Sequence, residues 1–297
     1  MTRRGWLLFV SMCIIWGLPY LLIRVAVRDL SPTAVVFSRT AIGAALLLPV
    51  AIHRRLLAEL RGRMQWVLLF TAVELGVPWL LLTQAEEHLT SSLAGLLVAA
   101  VPLVGVGLAK AVGQAERMTA RRWTGLVVGI AGVGSLVGLQ VGTIDVPSVL
   151  EVFAVAVGYA AGPLILSHAL SDAPSVAVVA TSLAITAVIY APFAIVSHPH
   201  HVHATVIWSV IGLAVVCTAV AFLVFFALIA EVGPARATVI TYVNPAVAIA
   251  LGIAVLGEHL TAGIVVGFPL VLAGSALATS RSDPLPGDAV GDSGPTW

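Results

Sequence analysis

The sequence predicts an all-α membrane protein with ten transmembrane helices, arranged as two inverted five-helix repeats. Three observations predict this fold: the composition, a series of apolar stretches of membrane-spanning length, and an internal repeat. Of the 297 residues, 60% are hydrophobic and 10% are charged, whereas about a quarter of a soluble globular domain is charged. A water-facing fold cannot bury so much apolar surface, so the lipid bilayer is the first predicted partner.

Charge, cysteine usage and motifs exclude several classes of protein. A formal net charge of +1 offers no basic surface for nucleic acid. Cys13 and Cys217 both lie inside apolar runs, which excludes a disulfide scaffold or a CxxC metal site. The sequence contains no GxxxxGK nucleotide loop and no HExxH motif or similar catalytic pair. We therefore predict no enzyme activity and no cofactor.

Ten stretches come close to the roughly 20 apolar residues that a helix needs to cross a bilayer. The run from Trp6 to Val27 is too long for a secretory signal and is interpreted as a retained first helix. The polar stretch 281–297 is predicted to be a disordered tail. The predicted helices 1 to 10 lie at 6–26, 33–52, 66–84, 91–109, 123–140, 148–169, 175–196, 205–229, 238–256 and 263–280.

The distribution of arginine predicts that both termini are cytoplasmic. With Arg3 and Arg4 inside, nearly all basic residues between helices fall on the cytoplasmic side, and the external loops carry only Arg28. The acidic residues assigned to the external loops are Asp29, Glu86, Glu87, Asp145 and Glu258. The preference for arginine over lysine, together with abundant Ala, Gly and Val, is typical of GC-rich bacterial genomes, so we predict the bacterial inner membrane.

The chain also repeats itself. The segment VPLVGVGLAKAVGQAERMTARRWTGLVVGIAGVGSLV (101–137) is similar to NPAVAIALGIAVLGEHLTAGIVVGFPLVLAGSALA (244–278). The matched pairs are Pro102 and Pro245, Glu116 and Glu258, Thr119 and Thr261, Gly125 and Gly267, and Gly132 and Gly274, with Trp16 and Tyr159 upstream. Repeats spanning 1–140 and 145–280 with five helices each must have opposite topology. Inverted repeats are typical of secondary transporters, whose substrate site lies near the midplane.

Three segments resemble the ten-helix EamA-type branch of the drug/metabolite transporter superfamily. They are IIWGLPYLLIRVAV in helix 1, VVFSRTAIGAALLL in helix 2 and ALIAEVGPARATVITYVNPAVAIALGIAVLGEHLTAG at 227–263. The last is similar to the family's second-half pattern of a proline followed by a Gly-Glu pair, and the first half carries Gln114-Ala115-Glu116 instead. The resemblance covers residues 5–280. It implies an inverted-repeat fold, a cavity lined by helices 1, 3, 4, 6, 8 and 9, and export of small metabolites, amino acids or drugs.

Glu74 is the strongest candidate functional residue. It lies in the apolar run FTAVELGVPWL, roughly 12 Å from the predicted cytoplasmic end of helix 3. An ionisable group at this depth marks a substrate path or a proton relay by default. Glu74 could bind the amino group of a cationic or zwitterionic solute, or release and take up a proton. The structural alternative is a carboxyl that is kept protonated, or one that is bonded to a hydroxyl such as Thr71 or Thr83 elsewhere in the bundle.

Several further side chains are candidates for the same site. Arg39 in helix 2 is the candidate charge partner of Glu74, although its long side chain could also snorkel outward. The other predicted substrate-binding residues are Trp16, Tyr20, Trp79, Tyr159, Tyr242 and Asn244. Ordinary packing or an interfacial aromatic belt is the alternative for the aromatic residues.

Prolines within the predicted helices are candidate breaks for gating. Lipid cannot satisfy the carbonyl groups that a proline frees, so these stretches must face protein or water. The candidate positions are Pro19, Pro78, Pro102, Pro163 and Pro245. The histidine-rich HPHHVH (198–203), with His88 and His259 on the same face, lacks a defined metal scaffold, so we predict no metal site.

These features predict a secondary transporter that exports a small-molecule solute by alternating access, with proton coupling through Glu74 as one mechanism. The alternatives are a passive facilitator, a membrane-embedded enzyme, and a receptor or assembly subunit. An enzyme would leave the missing catalytic pair unexplained, and a receptor would leave a charged midplane unexplained. Oligomeric state and the identity of the solute are not encoded in any recognisable pattern.

The predicted topology can be tested with reporters. Fusions that report cytoplasmic location, placed at each terminus in turn, are expected to be active at both ends, because an even number of helices returns the chain to its starting side. A fusion that reports the opposite compartment serves as the control at each position. Termini on opposite faces would contradict the ten-helix prediction.

Overall fold

The computed structural model describes residues 1–111, 119–139, 145–197, 201–237 and 239–279, and every regular element within these ranges is helical. The α-helices are α1 (Arg3–Ile15), α2 (Leu18–Ala26), α3 (Pro32–His53), α4 (Met64–Phe70), α5 (Val77–His88), α6 (Ser91–Val98), α7 (Val101–Ala111), α8 (Ala120–Gly138), α9 (Val146–Ala169), α10 (Ser175–Val196), α11 (Ala204–Ala214), α12 (Ala221–Val232), α13 (Pro234–Ala237), α14 (Ile240–Leu256) and α15 (Ala262–Thr279). Glu116 and the predicted tail 281–297 lie outside the described residues.

Four of the predicted helices consist of two segments. Helix 1 comprises α1 and α2, and helix 4 comprises α6 and α7. Helix 3 joins α4 to α5 through a π-helical turn at Thr71–Gly76, and helix 8 joins α11 to α12 through a π-helical turn at Val215–Val220. A π-helical turn inside an α-helix is uncommon and occurs frequently at functional sites.

The prediction of an all-helical membrane protein is confirmed, while the count of ten crossings is met only in part. Within the described ranges, eight helical spans are long and apolar enough to cross a bilayer. Helix α14 is a shorter apolar helix. Helix α8 begins with Arg121 and Arg122, which lower its mean hydropathy. All ten predicted stretches nevertheless contain helix.

The outer surface of the bundle is apolar, as a bilayer requires. Large hydrophobic side chains are exposed along several helices, including Leu7, Val188, Val196 and Trp208, which is 70% exposed. In water such a surface would drive aggregation, but in lipid tails it costs nothing. The polar side chains that are buried point into the bundle instead.

Helix packing follows the internal repeat. Along the chain, Trp16 and Tyr159 are as many residues apart as the helix-internal prolines Pro49 and Pro192. The repeat therefore relates α3, which contains Pro49, to α10, which contains Pro192. The two most extensive contacts join α8 to α15 and α3 to α10, and α6 also packs against α14; the repeat relates the two helices of each pair to each other. The contact of α5 with α9 has its counterpart in the contacts of α11 with α2 and of α1 with α12. This exchange of partners is what a two-fold relation between the halves produces.

Glycines let α8 and α15 approach until their backbones touch. A Cβ atom at Gly125 would collide with the backbone of Ala278 and Gly274, and one at Gly274 would collide with the backbone of Gly129. In a bilayer the hydrophobic effect does not drive helices together, because lipid tails are as apolar as the side chains. Small residues at the contact instead stabilise the helix pair by allowing close packing. The glycines aligned by the repeat therefore have a packing function, as the pairing of these two helices requires.

One end of the bundle is held together by polar contacts between its connections. Asp29, between α2 and α3, accepts hydrogen bonds from the backbone nitrogen (2.7 Å) and from Nδ1 (2.9 Å) of His203, which precedes α11. These bonds, the backbone one foremost, hold the pKa of Asp29 below its ordinary value. Nearby, the hydroxyl groups of Ser31 and Ser197 lie 2.8 Å apart. The contacts fix the connections of helices 1, 2, 7 and 8 to one another.

The substitution Gly125→Ala is expected to destabilise the protein. The added Cβ would meet backbone atoms of α15, and overpacking of this kind costs about 1–3 kcal/mol. Thermal unfolding in detergent should show a lower Tm than that of the unsubstituted protein. The matched control is Gly134→Ala in the same helix, where a Cβ meets no atom within 4 Å. Equal Tm values for the two variants would contradict the backbone contact.

Candidate functional site

Glu74 lies within the π-helical turn of helix 3, close to α9. Its Oε2 atom is buried and has no hydrogen-bond partner among the described residues. The carboxyl group packs against Gly162, where any Cβ atom would collide with it. The alternative bond to Thr71 or Thr83 is not formed, because those hydroxyls donate to Val67 O and Trp79 O respectively. Glu74 thus places a carboxyl group inside the bundle, and no hydrogen-bond donor among the described residues contacts its Oε2 atom.

Arg39 is buried, being 6% exposed, and connects helices 2, 3 and 8. Its Nε donates to Thr218 Oγ1 at 2.9 Å, and its Nη2 lies 3.5 Å from Cys217 O. The guanidinium carbon lies 3.6 Å from the centroid of the Trp79 ring, a cation–π arrangement. Among the described residues no ion pair joins Arg39 to Glu74. The predicted charge pairing is therefore absent in this conformation, and the guanidinium contacts helix 8 instead.

The position related to Arg39 by the repeat is occupied by Ser182 in α10. Its hydroxyl oxygen lies 2.8 Å from that of Thr71, at the start of the π-helical turn in helix 3. In both halves, therefore, the second helix contacts the π-helical turn of a neighbouring helix. The second helix contributes a charged guanidinium to this contact in the first half and a neutral hydroxyl in the second half. The positive charge at the centre comes from one half only.

Three of the predicted aromatic residues, Trp79, Tyr20 and Tyr159, lie near this centre, and Trp16 lies against α12. Trp79 is buried under Arg39, and Tyr20 is buried next to Gly95 of α6. Tyr159 packs against both large apolar clusters of the bundle and lies within electrostatic range of Arg39 and Glu74. Trp16, at the break in helix 1, contacts the rings of α12; its centroid lies 4.6 Å from that of Phe225 and 6.3 Å from that of Phe222.

Asn244 and Tyr242 lie on α14 but have different surroundings. With its amide oriented so that nitrogen donates, Asn244 bonds to Ile240 O (3.0 Å) and Cys13 O (3.2 Å), which ties α14 to the last turn of α1. The Tyr242 hydroxyl lies 2.8 Å from Thr279 Oγ1 at the end of α15. Tyr242 is therefore near the start of α14 and contacts the last residue of α15.

Three of the five predicted proline breaks coincide with an interrupted helix. Pro19 opens α2, Pro78 follows the π-helical turn of helix 3, and Pro102 opens α7. Pro163 and Pro245 lie inside α9 and α14, which continue through them. The interruptions are thus in helices 1, 3, 4 and 8, and sequence inspection did not predict the interruption of helix 8.

Glu86 is a fully buried acid, which the sequence analysis placed in an external loop. That placement was wrong, because α5 continues to His88 and Glu86 is 0% exposed. Neither carboxyl oxygen has a hydrogen-bond partner among the described residues. Leu82, Glu86 and Leu89 share one helical face by their i, i+4, i+7 spacing, and both leucines are buried. This spacing was the available signal.

Arg24 holds the end of the helix that carries Glu86. Its Nη1 donates to the backbone oxygens of Glu86 (2.5 Å) and Glu87 (3.0 Å). These carbonyls belong to the last turn of α5, where a positive charge is favourable. Arg24 is consequently a cap between helices 1 and 3, which differs from the free snorkelling expected of a residue near a membrane boundary.

Glu258 caps α6 and gives the Gly-Glu pair a physical role. Gly257 ends α14 with a φ of +68°, which places Glu258 beside the first residues of α6. The Glu258 carboxylate accepts four hydrogen bonds of 2.5–3.0 Å from the backbone nitrogens and hydroxyls of Ser91 and Ser92. A side chain at Gly252 would collide with this carboxylate. A negative charge at a helix N-terminus is stabilising.

No metal centre is present in the described part of the chain, where no three His, Cys, Asp or Glu side chains form a group able to hold an ion. Residues 198–200 of the histidine-rich loop lie outside it. His203 of the same loop is engaged with Asp29.

The fold and the buried polar centre define a polytopic helical membrane protein built from two related halves. The chain belongs to the EamA-like transporter family, whose model matches residues 3–138 and 147–280. The family named from its sequence motifs is therefore confirmed. An uncharacterized transporter, YvbV of Bacillus subtilis (strain 168), is 27% identical over 296 residues, covering 96% of this chain and 94% of the relative. A solved crystal structure of 21% identity shares the fold, with a TM-score of 0.66 over 94% of this chain and 97% of the other.

The role assigned to Glu258 predicts a measurable loss of stability. Glu258→Ala removes the acceptor of four hydrogen bonds at the start of α6, and unsatisfied buried donors cost about 1–3 kcal/mol each. Thermal unfolding of the purified protein should therefore begin at a lower temperature. His259→Ala, at the exposed neighbouring position, is the control and should leave Tm unchanged. A Tm for Glu258→Ala equal to that of the control would refute the capping role.

Proposed function

We propose that this protein is a secondary transporter that exports small metabolites, amino acids or drug-like solutes across the bacterial inner membrane by alternating access. Membership of the EamA-like transporter family supports the class. The half-buried Glu74, whose enclosed Oε2 atom has no partner among the described residues, lies within a π-helical turn and is the single observation that carries the proposal. A purely structural carboxyl at this depth would be paired, since burying a charge without a partner is costly.

The proposed topology has ten crossings, with both termini in the cytoplasm. Helices α8 and α14 supply the two crossings beyond the eight long apolar spans. The halves, 1–140 and 145–280, then have opposite orientations in the membrane. The pairing of α3 with α10, α6 with α14 and α8 with α15 supports this arrangement, because each pair joins helices that the repeat relates.

Glu74 is proposed to receive the amino group of a cationic or zwitterionic solute. Its Oε2 atom has no internal donor, so a solute ammonium would gain a charge-assisted hydrogen bond there. Trp79 and Tyr159 would supply apolar contact area, and Trp16 would line the approach from helix 1. Arg39 lies within electrostatic range of Tyr159, as Glu74 does. A zwitterion would therefore meet both signs of charge.

Alternating access is proposed to use the interruptions in helices 1, 3, 4 and 8. A helix interrupted by a break or a π-helical turn can bend there without losing its remaining hydrogen bonds. The π-helical turns of helices 3 and 8 occupy related places in the two halves. Bending at related points would move one half against the other around a fixed midplane site.

The driving force is proposed to be an ion gradient. The sequence has no GxxxxGK loop for ATP, whereas an intramembrane carboxyl can couple solute movement to protons. A passive facilitator would need no such group. Solute accumulation that responds to an imposed pH gradient separates these two forms of transport.

Glu74→Gln is expected to abolish solute binding and pH-driven exchange. A panel of amino acids, organic cations and nucleosides would first be screened by thermal shift on the purified protein, and the stabilising solute would then be used in proteoliposomes. Gln keeps the shape of Glu74 but cannot carry the negative charge that an ammonium group needs. Glu87→Gln, on the exposed end of the same helix, is the control. Unchanged thermal shift and exchange in Glu74→Gln would remove Glu74 from the mechanism.

A further inference from the structure

Glu86 differs from the other acidic residues of the described chain. The buried side-chain oxygens that lack a partner there belong to Glu74 and Glu86 alone, and only in Glu86 are both oxygens affected. Other carboxylates are engaged, such as Glu258 with Ser91 and Ser92. No helix cap, ion pair or hydroxyl accounts for the presence of Glu86. A fully buried acid without a structural partner is a candidate for a role in function.

The charged and titratable groups around Glu86 come from several elements. Arg24 and Tyr20 of α2, Arg39 of α3, Tyr159 of α9 and Glu258 of the connection after α14 all lie within electrostatic range. The helix that follows, α6, contributes the hydroxyls of Ser91 and Ser92, which are bonded to Glu258. Glu86 is therefore flanked by charges of both signs.

The nearby cations are committed to other acceptors. Arg24 donates to the backbone oxygens of Glu86 and Glu87, and not to the Glu86 carboxyl. Arg39 donates to helix 8 and stacks on Trp79. A carboxylate without donors is strongly disfavoured in such a setting, which makes Glu86 a candidate site for a bound proton. The group is 0% exposed, and a proton is the smallest ligand that a carboxyl group can take in so closed a site.

Glu86 lies near one end of the bundle. Glu86 lies in the last turn of α5, roughly 18 Å along helix 3 from Glu74 at 1.5 Å per residue. The hydrogen bonds from Arg24 to the backbone oxygens at the end of α5 are called the Arg24 clamp below. This clamp and the Glu258 cap on α6 lie at the same end of the bundle. If the clamp opens, the guanidinium becomes available to the carboxylate and water reaches it. Both changes favour loss of the proton.

We propose that Glu86 is the proton-carrying residue of the transport cycle, and that Glu74 binds the solute. When the Arg24 clamp opens, the O–H bond of the Glu86 carboxyl breaks, the proton passes to water, and the carboxylate pairs with Arg24. When the clamp closes again, Arg24 returns to the backbone oxygens at the end of α5, and Glu86 takes up a proton from water. The assignment rests on the proposed transport function for its purpose, but the proton binding can be measured without any solute.

The test uses the full-length protein in proteoliposomes on a solid-supported membrane. The probe is the proton alone, applied as a pH jump without solute, and the readout is the transient charge movement. The unsubstituted protein and the Glu87→Gln control should give a proton signal, and Glu74→Gln should retain it. Glu86→Gln should lose it. A signal unchanged in Glu86→Gln, or lost in Glu74→Gln instead, would overturn the assignment.

Stability provides a second measurement. Gln is a neutral analogue of a protonated Glu, so Glu86→Gln should fold and show a Tm at neutral pH at least as high as that of the unsubstituted protein. A lower Tm would mean that the carboxylate is ionised and paired, which overturns the assignment. If no solute is transported by any variant but the proton signal still depends on Glu86, the transport proposal fails while the proton site stands. If solute exchange is retained in Glu86→Gln with an unchanged pH dependence, only the proton assignment fails.

Discussion

Every backbone polar group within a bilayer must find a partner inside the protein, and the structure depends on how this constraint is met where helices are interrupted. At each interruption a side chain from another helix donates to a carbonyl group. Asn244 donates to Cys13 O in helix 1, and Tyr190 to Gly76 O in helix 3. Ser275 donates to Ala99 O in helix 4, and Arg39 approaches Cys217 O in helix 8. The breaks are thereby also the points at which the helices are joined.

These donors link helices in a pattern that the repeat explains. Tyr190 of helix 7 donates a hydrogen bond to the π-helical turn of helix 3, and Arg39 of helix 2 approaches a carbonyl group in the π-helical turn of helix 8. The two contacts exchange when the halves are exchanged. The framework therefore directs several of its buried donors to backbone oxygens, and among the described residues Oε2 of Glu74 and both carboxyl oxygens of Glu86 have no donor. The polar groups that stabilise the fold are thus different from the two carboxyl groups that are proposed to bind a solute or a proton.

Much of the architecture was predictable, because the bilayer restricts a chain to helices of known length. Apolar stretches located all ten helical segments, and prolines marked the interruptions of helices 1, 3 and 4. The π-helical turn of helix 8 carries neither proline nor glycine, so no local signal marked it. Glu86 was misplaced for a related reason: a polar residue near the end of an apolar run looks like the start of a loop, whereas its burial depends on what packs against it.

The sequence by itself determined that this protein is a helical membrane protein with two related halves and one acid deep in helix 3, because hydropathy and repeats are properties of the chain alone. Only the tertiary structure decided the partners of the polar groups. Arg39 contacts Thr218 and not Glu74, Tyr242 bonds to the end of α15, and Glu86 is enclosed without a donor. These outcomes depend on residues far apart in the chain, whose proximity arises from packing between helices and leaves no local pattern.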